Sequence, residues 1–353
     1  MLERPLSLPV FALFGALLLC PGTPRAAPGL DAYVLTAGGN SLLGATGNPF
    51  GCATFGPDAG AARFGRTFEL ALPTDGSICG VGSDGRSANG IAPPVQVAAT
   101  LAVGFGTPSD PRTFTGNAKS RADYGSLGVQ AVGSYTGASD SFTVAGTQAG
   151  ARQVDTLNFG GASGNGTYRA TFTIDGSLFN VGRTDSEIEF GYAYGGGPSR
   201  LTFRIINSNS SGISLYANGG YQSTLPGMVV SGSAALGYTV AGTTSFGFDI
   251  PIVFGVSQEV SFSLWAATIP RSNVNLLTAS AGDASFFSSA TLTGMQLFDS
   301  SGAALSSFTV TSGSGTLYGP GGVIAVPESG TALMLGVGLL VMTRLRTLRN
   351  RSA

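Results

Sequence analysis

The sequence predicts an all-β body, an antiparallel β-sandwich of jelly-roll-like type, and three observations carry that prediction. Apolar and polar residues alternate at period two along much of the chain, turn dipeptides with Gly separate the runs, and no segment between the termini keeps helical spacing. Glycine supplies 55 of the 353 residues and charged residues only 10%, yet a hydrophobic fraction of 43% leaves enough apolar surface for a core. The absence of His excludes His-based triads, His-ligated zinc, Cys-His nucleophile pairs and haem His ligation.

The N-terminus comes first. Met1 to Arg4 precede an apolar stretch from Leu6 to Leu19, followed by Pro21, Gly22, Pro24 and the small pair Ala26-Ala27. This is the layout of a secretory signal peptide. Pro5, Pro9 and the Pro/Gly cluster argue against a buried helix. Cleavage by signal peptidase is expected between Gly22 and Ala27, and residues 1–27 are assigned to the signal. Cys20 is not expected to carry a lipid, since Leu19 before it is bulky and Pro21 follows.

The body, residues 28–322, is expected to be one large sandwich or two fused sub-domains. Removing residues 1–27 and 328–353 leaves 12 of the 18 Lys+Arg and 17 of the 19 Asp+Glu, a net charge of −5 with Lys119 as the single lysine. A body of that charge carries no basic stripe for nucleic acid and does not suit anionic membranes. Cys52 and Cys79 remain in what should be an oxidising compartment and are expected to form a disulfide. It would close a 28-residue loop, for a contribution of roughly 3 to 4 kcal/mol on the chain-entropy account. Two free buried thiols are the alternative.

The strands follow from the alternation. Ile188, Phe190, Tyr192 and Tyr194 alternate with Glu187, Glu189, Gly191 and Ala193, and Leu201, Phe203 and Ile205 alternate with Thr202 and Arg204. Phe246, Phe248 and Ile250 alternate with Ser245, Gly247 and Asp249, and Val260, Phe262, Leu264 and Ala266 with Ser261, Ser263 and Trp265. Such runs read as half-buried strands. Asp75-Gly76, Asp175-Gly176 and Ser301-Gly302 are expected turns, so the strands should be many and short. Leu297, the turn Asp299 to Gly302, and the return strand with Phe308 and Val310 read as a hairpin.

Chemistry-bearing groups are sparse. Asp185, Glu187 and Glu189 would line one face of a strand within about 13 Å. They could contribute to a calcium site or, with a further acid, to glycoside hydrolysis. A solvated strand face explains the pattern already and is the expected reading, so no metal ligand is assigned. Asp249, Asp283 and Asp299 are expected as turn residues. Tyr192, Tyr194, Tyr216 and Tyr221 could stack on sugars, but core or strand-end packing is expected for most. Gly195-Gly196-Gly197 follows a strand with no helix after it, so no phosphate loop is supported. No catalytic residue or cofactor is assigned, and the chain is not expected to be an enzyme.

The C-terminus carries the most specific signal. Val326-Pro327-Glu328-Ser329 precede an apolar run from Ala332 to Met342, then Arg344, Arg346, Arg349 and Arg351. The run is shorter than the roughly 20 residues that cross a bilayer comfortably, but the basic cluster after it sets the tail in the cytoplasm and everything before it outside. Here the chain resembles the PEP-CTERM family, whose members end in Val-Pro-Glu-Pro, a short apolar helix and a basic tail, and are processed by an exosortase. Val326, Pro327 and Glu328 match, and Ser329 stands where the second Pro is usual. Arg121-Ala-Asp-Tyr-Gly-Ser-Leu-Gly-Val129 and the stretches Ala290 to Gly302, Phe308 to Thr316 and Tyr318-Gly319 also resemble segments of these ectodomains. The resemblance implies a Gram-negative exported protein in which residues 323–353 form a sorting tail with a short transmembrane helix. Its expected partners are an exosortase-type protease, the inner membrane during sorting, and an exopolysaccharide of the cell surface or matrix. A calcium-dependent or carbohydrate-binding lectin-like module is the alternative, and a glycosidase a remote third.

Overall fold

The computed structural model describes residues 27–40, 54–56, 69–71, 78–89, 93–107, 110–137, 145–195, 200–208, 212–217, 220–222, 224–233, 236–271 and 279–324. Among the described residues every regular element is a strand and every ladder is antiparallel. The first third holds β1 (Gly29–Asn40), β2 (Thr54–Gly56), β3 (Glu69–Ala71), β4 (Ile78–Asn89), β5 (Val95–Thr107) and β6 (Asp110–Asp123). Next come β7 (Ser126–Thr136), β8 (Gly146–Gly160), β9 (Asn165–Val181), β10 (Arg183–Tyr194), β11 (Arg200–Ser208), β12 (Gly212–Ala217) and β13 (Gly220–Gln222). The chain continues through β14 (Met228–Ser233), β15 (Gly237–Val253), β16 (Gln258–Arg271), β17 (Ser280–Phe298), β18 (Thr309–Ser312), β19 (Tyr318–Gly319) and β20 (Gly322–Val323).

These strands make two large sheets. The nine-stranded sheet runs β13-β12-β11-β10-β16-β8-β1-β4, with β18 also paired to β8, and the seven-stranded sheet runs β14-β15-β9-β17-β7-β6-β5. The strand β18 takes over the β1 side of β8 where the β1 ladder has ended, at Leu157 to Gly160. Their facing sides bury one contiguous apolar cluster, with Ala32, Ala149, Ile188, Phe190 and Phe262 from one sheet and Ala118, Val129, Phe172, Phe248 and Leu292 from the other. An antiparallel β-sandwich is therefore the architecture, as the alternation predicts. The expected terminal helices lie outside the described residues.

The interior has two zones. At one, aromatic rings fill the space: Phe172 lies 4.7 Å from Phe190 and 4.8 Å from Phe262 between centroids, and Tyr192 stacks on Phe248 at 4.4 Å. At the other, small and hydroxylated residues let the sheets approach closely. A Cβ on Gly116 of β6 would run into Thr36 Oγ1 of β1 and come within 2.7 Å of Thr147 Oγ1 of β8, two hydroxyls that bond to each other at 3.1 Å. A Cβ on Gly282 of β17 would likewise lie 2.6 Å from Ser186 Oγ of β10.

Crossing between the sheets is abrupt at Gly182, the single residue between β9 and β10. Its φ of 68° is a left-handed conformation, and a side chain there would lie 2.7 Å from the Ala279 carbonyl oxygen. The fully buried Asn180 beside it donates from Nδ2 to the carbonyls of Thr184 at 3.1 Å and Asn207 at 2.9 Å, and accepts from Tyr238 N at 3.3 Å. Asn207 in turn donates to the Tyr238 carbonyl at 2.8 Å, so two amides tie the edges of both sheets together.

Four expectations need correction. The strands are long, with 17 residues in β9, 17 in β15 and 19 in β17. Asp175-Gly176 is no turn but part of β9, because Gly176 sits against the Phe286 ring and the Ser285 carbonyl, where only a residue without a Cβ fits. The C-terminal hairpin closes only at its tip, where Ala304 bridges Phe298 and Leu305 N donates to the Leu297 carbonyl at 2.9 Å. The strand carrying Val310 then leaves for β8 of the other sheet. Trp265, assigned to a polar face, is 2% exposed on the outer side of the nine-stranded sheet, where Leu35, Ala267 and Ile269 are buried as well.

Gly116→Ala is expected to lower the unfolding free energy by about 1 to 3 kcal/mol, because neither hydroxyl across the interface can retreat without breaking their mutual bond. Gly104→Ala, facing only the Arg112 carbonyl at 3.9 Å, should cost nothing comparable, and urea denaturation of the two variants makes the comparison.

Candidate functional site

Val326, Pro327, Glu328, Arg344, Arg346, Arg349, Arg351 and Cys52 lie outside the described residues. Cys79 is described by its backbone alone, which sits opposite Gly39 in the β1–β4 ladder. No helix among the described residues is long and apolar enough to cross a membrane.

Asp185, Glu187 and Glu189 occupy successive outward positions of β10, all half-buried, opposite Ile269, Ala267 and Trp265 of β16. Among the described residues no group of three or more His, Cys, Asp and Glu is placed to hold a metal. Neighbouring carboxylates two residues apart on one strand diverge by roughly 6 to 7 Å, whereas calcium needs six to eight converging oxygens. Tyr192 is a core ring, and Tyr194 lies half-buried with the Arg200 guanidinium 5.1 Å from its ring centroid. Tyr216 and Tyr221 stand opposite each other in the β12–β13 register.

Of the acids expected at turns, only Asp299 is one. Its Oδ1 accepts from Ser301 N at 2.8 Å, Ser301 Oγ at 2.6 Å and Ala303 N at 3.0 Å, and these bonds hold its carboxyl below the usual range. Asp249 lies within β15 and is bound through both oxygens by Arg169 of β9, at 2.7 and 2.8 Å, which keeps its carboxyl low. Asp283 lies within β17, and its Oδ1 is buried without a hydrogen-bond partner. Burial pushes its carboxyl above the usual range.

The most constructed part of the molecule is one that sequence reasoning did not single out. Asp155 of β8 is 3% exposed. Its Oδ1 accepts from Thr156 N at 2.7 Å and Ser314 N at 3.1 Å, and its Oδ2 from Ser312 Oγ at 2.6 Å, Ser314 Oγ at 2.8 Å and Tyr318 Oη at 3.0 Å. Five donors use every lone-pair direction of a carboxylate. Nothing remains to receive a proton from a substrate or to bind a metal, so the group is a structural anchor. Tyr318 is raised far above the ordinary phenol range by burial first and by the charge of Asp155 second, and therefore stays a donor. Tyr124, nearby, is pushed up to about 12, by burial and then by the charges of Asp155 and Asp123.

Two segments far apart in sequence meet at this end of β8. Residues 121–129 make the β6–β7 turn, in which Gly125 has a φ of 78° and donates its N–H to Gln153 Oε1 of β8, while its carbonyl accepts from Leu292 N at 2.8 Å. Residues 308–324 form a strap over the same end. Gly313 N bonds the Thr156 carbonyl at 2.8 Å, Met295 N the Pro320 carbonyl at 3.0 Å, and Ile324 N the Leu317 carbonyl at 2.8 Å. Val323 packs where a side chain on Gly125 would go. Residues 121–129 and 308–324 thus meet at one end of β8, and the last described residue, Ile324, is 51% exposed two positions before Val326. A sequence signal existed in the repeated Ser312-x-Ser314-x-Thr316 pattern, but it does not name its partner.

Compared with family models, with curated proteins and with solved structures, the chain matches none.

Asp155→Ala should remove about 3 kcal/mol or more of stability, since it strands two Ser hydroxyls, the Tyr318 hydroxyl and a buried N–H at once. Limited proteolysis of that variant should cut first within residues 309–324. Asp283→Asn has the opposite sign. Because burial raises the folded carboxyl above its unfolded value, the folded state binds the proton more tightly, and wild-type stability falls as pH rises from about 4 upward. The Asn variant should therefore melt higher at pH 7, by about 1 kcal/mol, with the difference vanishing below pH 4 in thermal scans.

Proposed function

We propose that this chain is an exported surface or matrix protein, sorted by an exosortase-type protease acting on its C-terminal tail, with a jelly-roll-like sandwich that associates with exopolysaccharide or bears load within it. The observation that carries the reading is the order of the C-terminal signals: Val326-Pro327-Glu328, an apolar run, then Arg344, Arg346, Arg349 and Arg351. What supports it in the body is that residues 309–324 form a strap held by Asp155, two positions before Val326 in the sequence. The signal-like N-terminus supplies the export route, and the −5 body has no use for nucleic acid.

Association with polysaccharide has a physical basis in the outer face of the seven-stranded sheet. There Thr113 meets Thr136, Thr115 bonds Ser134 at 2.5 Å, Thr173 bonds Ser245 at 2.8 Å and Thr293 at 3.0 Å, and Gln130 bonds Ser285 at 3.2 Å. Rows of hydroxyls and amides on a flat sheet offer the donors and acceptors that a neutral sugar chain presents in return.

Mass spectrometry of the protein recovered from outside its native cells should find a new N-terminus between Gly22 and Ala27 and a C-terminus near Glu328. Replacing Arg344, Arg346, Arg349 and Arg351 by Glu should abolish that C-terminal processing. An intact tail on correctly released wild-type protein would sink the sorting reading.

A further inference from the structure

We infer that the outward face of the β19–β20 hairpin is a lipid contact, which seats this end of the sandwich on the headgroup layer of a bilayer. The inference rests on the sorting reading in one respect, that the apolar run Ala332–Met342 enters a membrane. In the hairpin Tyr318 stands opposite Val323 and Gly319 opposite Gly322, and Ile324 N donates to the Leu317 carbonyl at 2.8 Å. Alternation divides these side chains between two faces. Tyr318 and Val323 point to the body, the first to Asp155 and the second to Gly125. Leu317 and Ile324 lie on the other face, 50% and 51% exposed, with Gly319 and Gly322 beside them.

A single exposed Leu is ordinary, but here two aliphatic side chains share a face that bears no polar side chain. A Cβ on Gly319 would lie 3.0 Å from Ile324 Cδ1, so the glycine leaves that side chain bare. Between Asp299 and Glu328 the chain has no Asp, Glu, Lys or Arg. The β6–β7 turn against which Val323 packs carries Arg121 and Asp123, whose opposite charges offset each other. The face therefore suits a partner that takes apolar side chains without requiring charge.

The length of chain between the hairpin and the apolar run selects lipid as the occupant. Ile324 and Ala332 are eight residues apart, a span of at most about 28 Å and on average about 16 Å. With the run in the hydrocarbon and about 6 Å taken up by headgroups, the hairpin is held on average within roughly 10 Å of the lipid surface. At that distance tethering makes even a weak apolar contact effective. The N-terminus leads to the same place. A Cβ on Gly313, four residues before Leu317, would lie 2.9 Å from the Pro28 ring, and Pro28 follows Leu19, the end of the other apolar stretch, by nine residues. Both apolar segments of the sequence thus join the body beside this hairpin, and insertion of either turns this end toward the bilayer.

The test uses the full chain with phosphatidylcholine liposomes whose acyl chains are brominated near the headgroup and quench tryptophan only at contact. Every protein carries Leu17→Arg and Leu18→Arg, so that the tail alone can insert. Trp265, 2% exposed, gives the background, Leu317→Trp and Ile324→Trp report the hairpin, and Leu236→Trp, at a 79% exposed position outside the strap, is the control. Flotation with the liposomes should fall about fivefold or more on adding Leu339→Arg with Leu340→Arg, which puts two charges in the apolar run. Among floated proteins, quenching should be about threefold stronger than background for at least one hairpin variant, and at background for Leu236→Trp. A chain that does not float, or floats equally with the added arginines, overturns the membrane step of the sorting reading and this inference with it. A chain that floats through its tail, with the hairpin tryptophans quenched no more than Trp265 or no more than the control, overturns this inference alone and leaves the hairpin to a protein partner.

Discussion

Contact between the inner faces of the two sheets is the constraint on which the rest of this molecule rests. Each sheet alone would expose a broad apolar face, and together they bury one cluster from Leu30 to Tyr318. The spacing between them is set residue by residue. Phe172, Phe190, Phe248 and Phe262 hold the sheets apart in one zone, while Gly116, Thr36 and Thr147 draw them together in another. Much of the unusual glycine content has its reason here, because Gly116, Gly176 and Gly282 each lie where a Cβ would meet the neighbouring sheet or strand.

A sandwich made from a chain that changes sheet repeatedly must secure its crossings and its last segment. Asn180 and Asn207 secure one crossing through backbone carbonyls of both sheets. Asp155 secures the C-terminal strap. Both place polar groups in the interior and partner them across the sequence, Asn180 with backbone groups and Asp155 with hydroxyl and backbone donors, which is the condition under which buried polar groups specify a structure. Asp283 departs from this rule, as do Asn117 and Tyr168 in the same sheet, each with a buried side-chain oxygen that has no hydrogen-bond partner.

On the proposed reading this body is a component of an extracellular layer. The best-bonded acid has no free lone pair, the row Asp185, Glu187 and Glu189 diverges, and the exposed surfaces of note are a hydroxyl-rich sheet face and an uncharged hairpin. The strap connects this body to the tail that would deliver it.

How much was legible in the sequence depended on the range of the interaction responsible. Alternation over Ile188, Phe190 and Tyr192, and over Phe246, Phe248 and Ile250, determined strand identity and the buried face, because side chains in a strand alternate by local geometry alone. The order of the proposed export and sorting signals is likewise a property of the linear chain. Tertiary structure alone decided that Asp175-Gly176 continues a strand, since the reason lies in Phe286, more than a hundred residues away. It decided that β18 leaves β17 for β8, and that Trp265 is buried on the face opposite the core. It also made Asp155 an anchor. Asp155 has no local meaning until Ser312, Ser314 and Tyr318 arrive from the far end of the chain, and a carboxylate's burial becomes favourable only when its donors converge in three dimensions.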